Sequence, residues 1–157
     1  MQGKRELTKH TDDGIMKKMV DNEVHNVYYI GKIDREIYKC VTEDIRTDEV
    51  IITDERILHI KERHPNDYER YYSYMTQIVE CPDYIIEANK PNTALILKDF
   101  SNGTEQFKTI LRLVTSVDNE NFKNSIITFM KIDEKEWKRL IKKYFTNQNN
   151  YDIISVQ

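Results

Sequence analysis

Hydrophobic periodicity changes character at Cys81-Pro82, and that change restricts the fold more than any other feature of the chain. Downstream of it, apolar and polar residues alternate through four successive stretches, 83–89, 93–100, 107–115 and 125–132. Alternation of two places successive side chains on opposite faces of a strand. The connections Lys90-Pro91-Asn92, Asn102-Gly103 and the polar stretch 116–124 are short or rich in turn residues. Parallel neighbours need a long crossover, so these four stretches predict an antiparallel meander.

Upstream the pattern is helical. Thr53 or Asp54 can cap a helix whose first turn carries Asp54 and Glu55, the charge that a helix amino terminus favours, and Ile57 and Ile60 share one face. Pro65 disfavours the α conformation at His64, so the helix should end near Arg63, with His64 in the turn and His59 and Arg63 together on a helical face. A second helix, from Asn66 or Asp67 to Glu80, carries Tyr71, Tyr74, Met75 and Ile78 as a core stripe. Residues 27–31 and 50–52 read as strands, and Ile37-Tyr38 as a further short one. A last helix over 133–145 faces Trp137, Leu140, Ile141 and Tyr144 inward and a row of Lys and Arg outward, a solvated basic face. Helices followed by a sheet give an α+β class. Residues 1–26 read as a polar lead-in, a marginal helix or a linker from a longer polypeptide, 27–145 as one domain, and 146–157 as a tail that frays or adds an edge strand.

A chain of 157 residues is long enough for one proper core. Its net charge of -3 excludes a non-specific nucleic-acid coat, so any nucleic-acid site must be a local patch. No stretch is apolar and long enough for a membrane span or a secretory h-region, and Cys40 and Cys81 are isolated; a cytoplasmic setting with reduced thiols is expected.

The chemistry concentrates in Ile-Thr-Asp-Glu-Arg-Ile-Leu-His-Ile-Lys-Glu-Arg-His-Pro, residues 52–65. An unperturbed imidazole titrates at about 6.5, so His59 and His64 could serve as base and acid on one substrate, with Arg63 binding an anion beside them. Such a pair suits cleavage of RNA by its own 2′-hydroxyl, which needs no metal. A single helical histidine is by itself as well explained as a surface or core residue. The competing metal site is poorly supported: His59 and His64 are five apart, and neither an HExxH motif nor a His/Cys cluster occurs. His10 and His25 fall in the lead-in and carry no assigned role.

The third alternating stretch adds a cation. Phe107, Thr109, Leu111 and Leu113 take one face, whereas Lys108, Ile110, Arg112 and Val114 take the other. Four residues of strand separate Lys108 from Arg112 by about 13 Å, too far to grip one phosphate together. Arg112, in the more apolar surroundings, is the better catalytic cation; its plainer explanation is a surface salt bridge. Ser125 and Thr128 are three apart, hence on opposite faces unless a bulge intervenes. Only one hydroxyl should reach a cleft, and Thr128, deep in an apolar run, needs a partner or a function.

These residues, together with Asn-Thr-Ala-Leu-Ile-Leu-Lys at 92–98, Ile-Leu-Arg-Leu at 110–113 and Asn-Ser-Ile-Ile-Thr-Phe at 124–129, resemble the phage-associated branch of the barnase–EndoU–colicin–RelE-like (BECR-fold) nucleases. The likeness covers residues 27 to 144. It implies one or two helices packed on one face of a four-stranded antiparallel sheet, the opposite face forming an RNA cleft, and metal-independent endoribonuclease chemistry with no cofactor. It also implies that His59, Arg63 and His64 form the helical half of a site, that Arg112 is the strand cation, that Ser125 and Thr128 supply hydroxyls, and that Lys108 assists in substrate binding. RNA, a tRNA among the candidates, is then the expected partner. Fold alone does not establish chemistry, so two other readings stand beside it. One is an inactive nuclease-like module that binds an immunity protein or a phage structural protein; the other is a metal-dependent phosphodiesterase.

Overall fold

A computed structural model describes the backbone of residues 15–20 and 23–156 and the side chains of residues 26–148. Residues 1–14 of the lead-in lie outside the described residues. Among the described residues, seven strands form one mixed sheet: β1 (Ile15–Val20), β2 (Glu23–Lys32), β3 (Glu49–Thr53), β4 (Tyr84–Glu87), β5 (Thr93–Asp99), β6 (Gln106–Arg112) and β7 (Asn124–Ile132). Their order is β1-β2-β3-β7-β6-β5-β4. The helices are α1 (Asp54–Arg63), α2 (Asp67–Tyr71), α3 (Met75–Glu80) and α4 (Glu134–Val156).

The α+β class and the meander are as the periodicity implies: β4, β5, β6 and β7 pair antiparallel in sequence order. The expected four-stranded, wholly antiparallel sheet is corrected. Residues 15–26, read as lead-in, contribute β1 and the start of β2, which form a hairpin, and β2 pairs with β3. β3 then joins β7 in parallel, Val50 opposite Asn124 and Ile51 opposite Ser125. The crossover that a parallel pair requires is everything between them, from α1 to β6, so no local turn signal announces it.

Helices also lie on both faces of the sheet rather than one. Ile60 of α1, Tyr71 of α2, and Met75, Ile78 and Val79 of α3 share a core with Val50, Ile52, Ile96, Phe107, Leu111, Ile126 and Phe129. On the other face Leu140 of α4 packs with Ile86, Leu95 and Leu97, and Trp137, Ile141 and Tyr144 close against them. The first five residues of β5, Thr-Ala-Leu-Ile-Leu, are all buried, which demands cover on both sides.

Three smaller expectations change. Ile37–Cys40 is a 3-10 turn, not a strand; its buried Tyr38 donates to the Val79 carbonyl at 2.7 Å. The helix expected up to Glu80 is broken into α2, a 3-10 turn at Tyr72–Tyr74, and α3, yet Tyr71, Met75 and Ile78 enter the core as their spacing requires. Helix α4 runs on to Val156, through most of the segment read as a tail.

Candidate active site

The strand half of the site is made by a bulge. β6 and β7 change register between Ile110 and Leu111: Ile110 faces Thr128 whereas Leu111 faces Ile126, leaving Ile127 as the extra residue. Directly opposed residues of an antiparallel pair point to one side of the sheet. Ser125, opposite Arg112, and Thr128, opposite Ile110, therefore share a face, and it is the face of Arg112. The bulge thus puts on one face two hydroxyls that unbroken alternation would place on opposite faces, yet of the two only Ser125, not Thr128, lines a concavity beside them. Phe107, Thr109, Leu111 and Leu113 are fully buried on the other side, as the alternation implies.

Ile51 and Thr53 of β3 extend this face, and beside them lies a concavity of about 290 Å³. It is lined by Ile51, Thr53, Arg112, Val114, Asp118, Phe122, Lys123 and Ser125, none of them from a helix. Thr128 faces the same side beyond that lining. Arg112 is not a free cation: its guanidinium forks onto Asp118, Nη2 to Oδ1 at 3.2 Å and Nη1 to Oδ2 at 3.5 Å, and Nη1 also donates to the Leu113 carbonyl. The Thr115 backbone N–H, first, and then Arg112 hold the Asp118 carboxyl below the usual carboxylate range. Lys123 pairs with Glu49 at 2.5 Å on the rim.

Lys108 shares the face of Arg112 but lies beside α4, where it pairs with Glu136 at 3.3 Å. Glu136 also takes a two-pronged contact from Arg139 at 2.7 and 2.8 Å. Arg139, then Lys108, draw the Glu136 carboxyl down to about 2, against burial that opposes them.

Helix α1 follows β3 without a break. Thr53 caps it, its hydroxyl accepting the Arg56 N–H at 3.3 Å, so the residue that starts the helix also lines the concavity. Ile57 and Ile60 turn to the core, and α1 runs against β7, which continues past the end of β3. At 100° per residue, Arg56, His59 and Arg63 fall on one flank and Lys61 on the opposite one. Lys61 faces α2, pairing with Glu69 at 3.8 Å and lying 5.3 Å from the Tyr68 ring. On that side too, burial and the nearby Asp54 raise the Tyr28 hydroxyl to about 12. The Arg56–His59–Arg63 flank is therefore turned away from α2. His59 is half-buried, Arg63 is exposed, and neither has a side-chain partner among the described residues.

His64 leaves the helix as Pro65 requires. It is the carboxyl-terminal cap, with φ -133°, and its N–H still reaches the Ile60 carbonyl at 2.8 Å. The chain then reverses at Asn66, whose φ of 73° asparagine tolerates.

Sequence reasoning missed Asp118, Lys123 and Thr53 as lining residues. Asp118 and Lys123 lie in the polar stretch before β7, where only their contacts distinguish them from solvated charges; the sequence around Thr53 signals a helix cap alone. Among the described residues no three His, Cys, Asp or Glu side chains are grouped to hold a metal ion, and no helix is long and apolar enough to cross a membrane.

Arg112, Ser125 and Thr128 share one face of the sheet, whereas Ile57 and Ile60 seat α1, which carries His59 and Arg63 and ends at His64, in the core on the other face. None of His59, Arg63 and His64 lines the concavity; the class defined is an α+β domain with a polar concavity on one sheet face. The chain belongs to the phage-Barnase-EndoU-ColicinE5/D-RelE like nuclease 2 family, whose model matches residues 29–147. Comparison with the curated proteins and with the solved structures finds no match.

Proposed function

We propose that this domain is an endoribonuclease that cuts RNA by attack of its own 2′-hydroxyl, leaving a 2′,3′-cyclic phosphate and a 5′-hydroxyl, without a metal ion. The observation that carries the reading is the bulge at Ile127, which gathers Arg112, Ser125 and Thr128 on one face. One imidazole, His59 or His64, takes the 2′-hydroxyl proton as the 2′-oxygen attacks phosphorus. The other gives a proton to the departing 5′-oxygen. Arg112 meets the charge that builds on the phosphoryl oxygens, and Ser125 and Thr128 donate hydrogen bonds that orient them. Arg63 on the helix and Lys108 further along β6 hold flanking phosphates of a single-stranded or structured RNA such as a tRNA, in the cytoplasm.

Incubation of the purified domain with total RNA in excess EDTA tests this. Cutting should persist, with cyclic-phosphate ends, and should vanish when His59→Ala and His64→Ala are combined. Cutting that EDTA abolishes removes the metal-free mechanism, and cutting that survives the double substitution removes the site. A second reading draws on the net charge of -3: an inactive module that binds an immunity protein or a phage structural protein. It requires no RNA cleavage under any ionic condition and stable co-purification with such a partner.

A further inference from the structure

The carboxylate that grips Arg112 is itself gripped from another part of the chain. Thr115 directs Asp118 through its N–H at 2.8 Å and its hydroxyl at 3.3 Å, while the Asp118 N–H closes a turn onto the Thr115 carbonyl at 3.1 Å. Arg46, in the segment that leads into β3, reaches across to this connection. Its Nη1 donates to the Asp118 carbonyl at 2.8 Å and the Thr115 carbonyl at 3.4 Å, and its Nη2 to the Phe122 carbonyl at 2.6 Å. Its backbone N–H donates to the Val114 carbonyl at 3.0 Å. Neighbours of Arg46 fasten the same loop: Asp44 accepts the Ser116 hydroxyl at 2.7 Å, and the Thr47 carbonyl accepts Asn124 at 2.7 Å.

This arrangement spends only part of the Arg112 guanidinium. Its Nη1 protons go to Asp118 and Leu113 and one Nη2 proton to Asp118, while the Nε–H and the second Nη2 proton have no partner among the described residues. A forked arginine whose plane is fixed, with two donors left over beside Ser125, is suited to a phosphate that arrives in one orientation. We propose that Asp118 is a positioning residue for Arg112, that Arg46 holds Asp118 in place, and that the β6–β7 connection thereby presets the guanidinium for the scissile phosphate. The proposal rests on the ribonuclease reading.

Simple electrostatics and positioning predict opposite results at Asp118. Removing a negative charge from an RNA cleft should, by charge alone, lower KM and leave or raise turnover. Positioning requires turnover to fall. The test is steady-state cleavage of a short RNA by Asp118→Asn. Since losing a charge-assisted fork is commonly worth a factor of roughly ten, kcat should drop about tenfold with KM unchanged or lower. Turnover that is unchanged or higher overturns the proposal. In an Arg112→Ala background the same substitution should cost nothing more; an equal loss there also overturns it. Arg46→Lys should fall between wild type and Asp118→Asn, and wild-type turnover in Arg46→Lys removes Arg46 from the proposal.

A readout independent of cleavage separates this proposal from the function it rests on. In wild type the Arg112 Nη–H protons held by Asp118 should give resonances distinct from those of freely rotating guanidinium groups, and in Asp118→Asn these should move to the position of solvent-averaged arginines. A resonance that stays in place in the folded variant overturns the positioning whether or not RNA is cut. Wild-type protein that does not cut RNA, yet shows the shift, removes the ribonuclease reading and leaves the Asp118–Arg112 coupling standing.

Discussion

The two halves of the candidate site are built in opposite ways. On the strands, Arg112 is tied to Asp118, and Asp118 to Thr115, within a loop that Arg46 fastens by three carbonyls. On the helix, Arg56, His59, Arg63 and His64 have no side-chain partner among the described residues. Groups fixed before substrate arrives need no reorganisation when charge develops, whereas groups free in solvent are ordered by the substrate itself. On the proposed ribonuclease reading, the contrast would give charge stabilisation to the sheet and proton transfer to the helix. It also separates activity from stability: the helical half should be removable without harm to the fold, and the Arg112–Asp118 anchor of the strand half should not.

The largest expected effect comes from the helical half. Combining His59→Ala and His64→Ala should lower cleavage by about a thousandfold or more, as loss of two acid–base groups does, with a thermal midpoint close to wild type. A large fall in the midpoint would break the contrast by showing that the imidazoles support the fold. Arg112→Ala should lower kcat by about a hundredfold. Unlike the histidine pair it should also lower the midpoint, because it leaves Asp118 without its cation.

Much of the fold was legible because the signals are local. The four strands of the meander, the Thr53 cap, the exit at His64 and the Tyr71–Met75–Ile78 stripe each follow from a few adjacent residues. What was not legible depends on residues far apart in sequence. The β3–β7 parallel pair joins segments more than seventy residues apart and carries no turn signature, and the need to cover β5 on its second face sends α4 to the opposite side of the sheet. The bulge has the same origin. Nothing in Ser-Ile-Ile-Thr-Phe fixes the residue that goes unpaired, because its register is set by β6; once Ile127 is set aside, Ser125 and Thr128 fall on the face of Arg112. Asp118 is the strongest case, an unremarkable loop residue in sequence whose importance appears only through its partners.

The bulge gives an intermediate effect. Ser125→Ala and Thr128→Val each remove one hydroxyl from the Arg112 face while keeping side-chain size close. Each should reduce kcat by roughly tenfold, the worth of one hydrogen bond to a charged group, with little change in the midpoint. A loss from only one of them would assign a single hydroxyl to the chemistry and leave the second as ordinary strand packing.

The smallest effect concerns Lys108, which the contrast leaves between the two halves: it shares the face of Arg112 but is paired with Glu136 of α4. Its two possible roles separate in a pH titration. Arg139 and Lys108 draw the Glu136 carboxyl from its ordinary 4.5 down to about 2. A depressed folded-state value means stability that is complete above the unfolded-state value of 4.5 and is lost as pH falls through that window toward 2. Because these groups are partly exposed, solvent screening holds the contribution of the Lys108 pair to about 1 kcal/mol or less. Lys108→Met should therefore shrink the difference in stability between pH 6 and pH 3, by urea unfolding at each pH. If Lys108 is only the anchor of α4, the KM for RNA will not move. A severalfold rise in KM, steeper at low salt, would instead place it with Arg112 as a second phosphate contact, reached by trading Glu136 for the substrate.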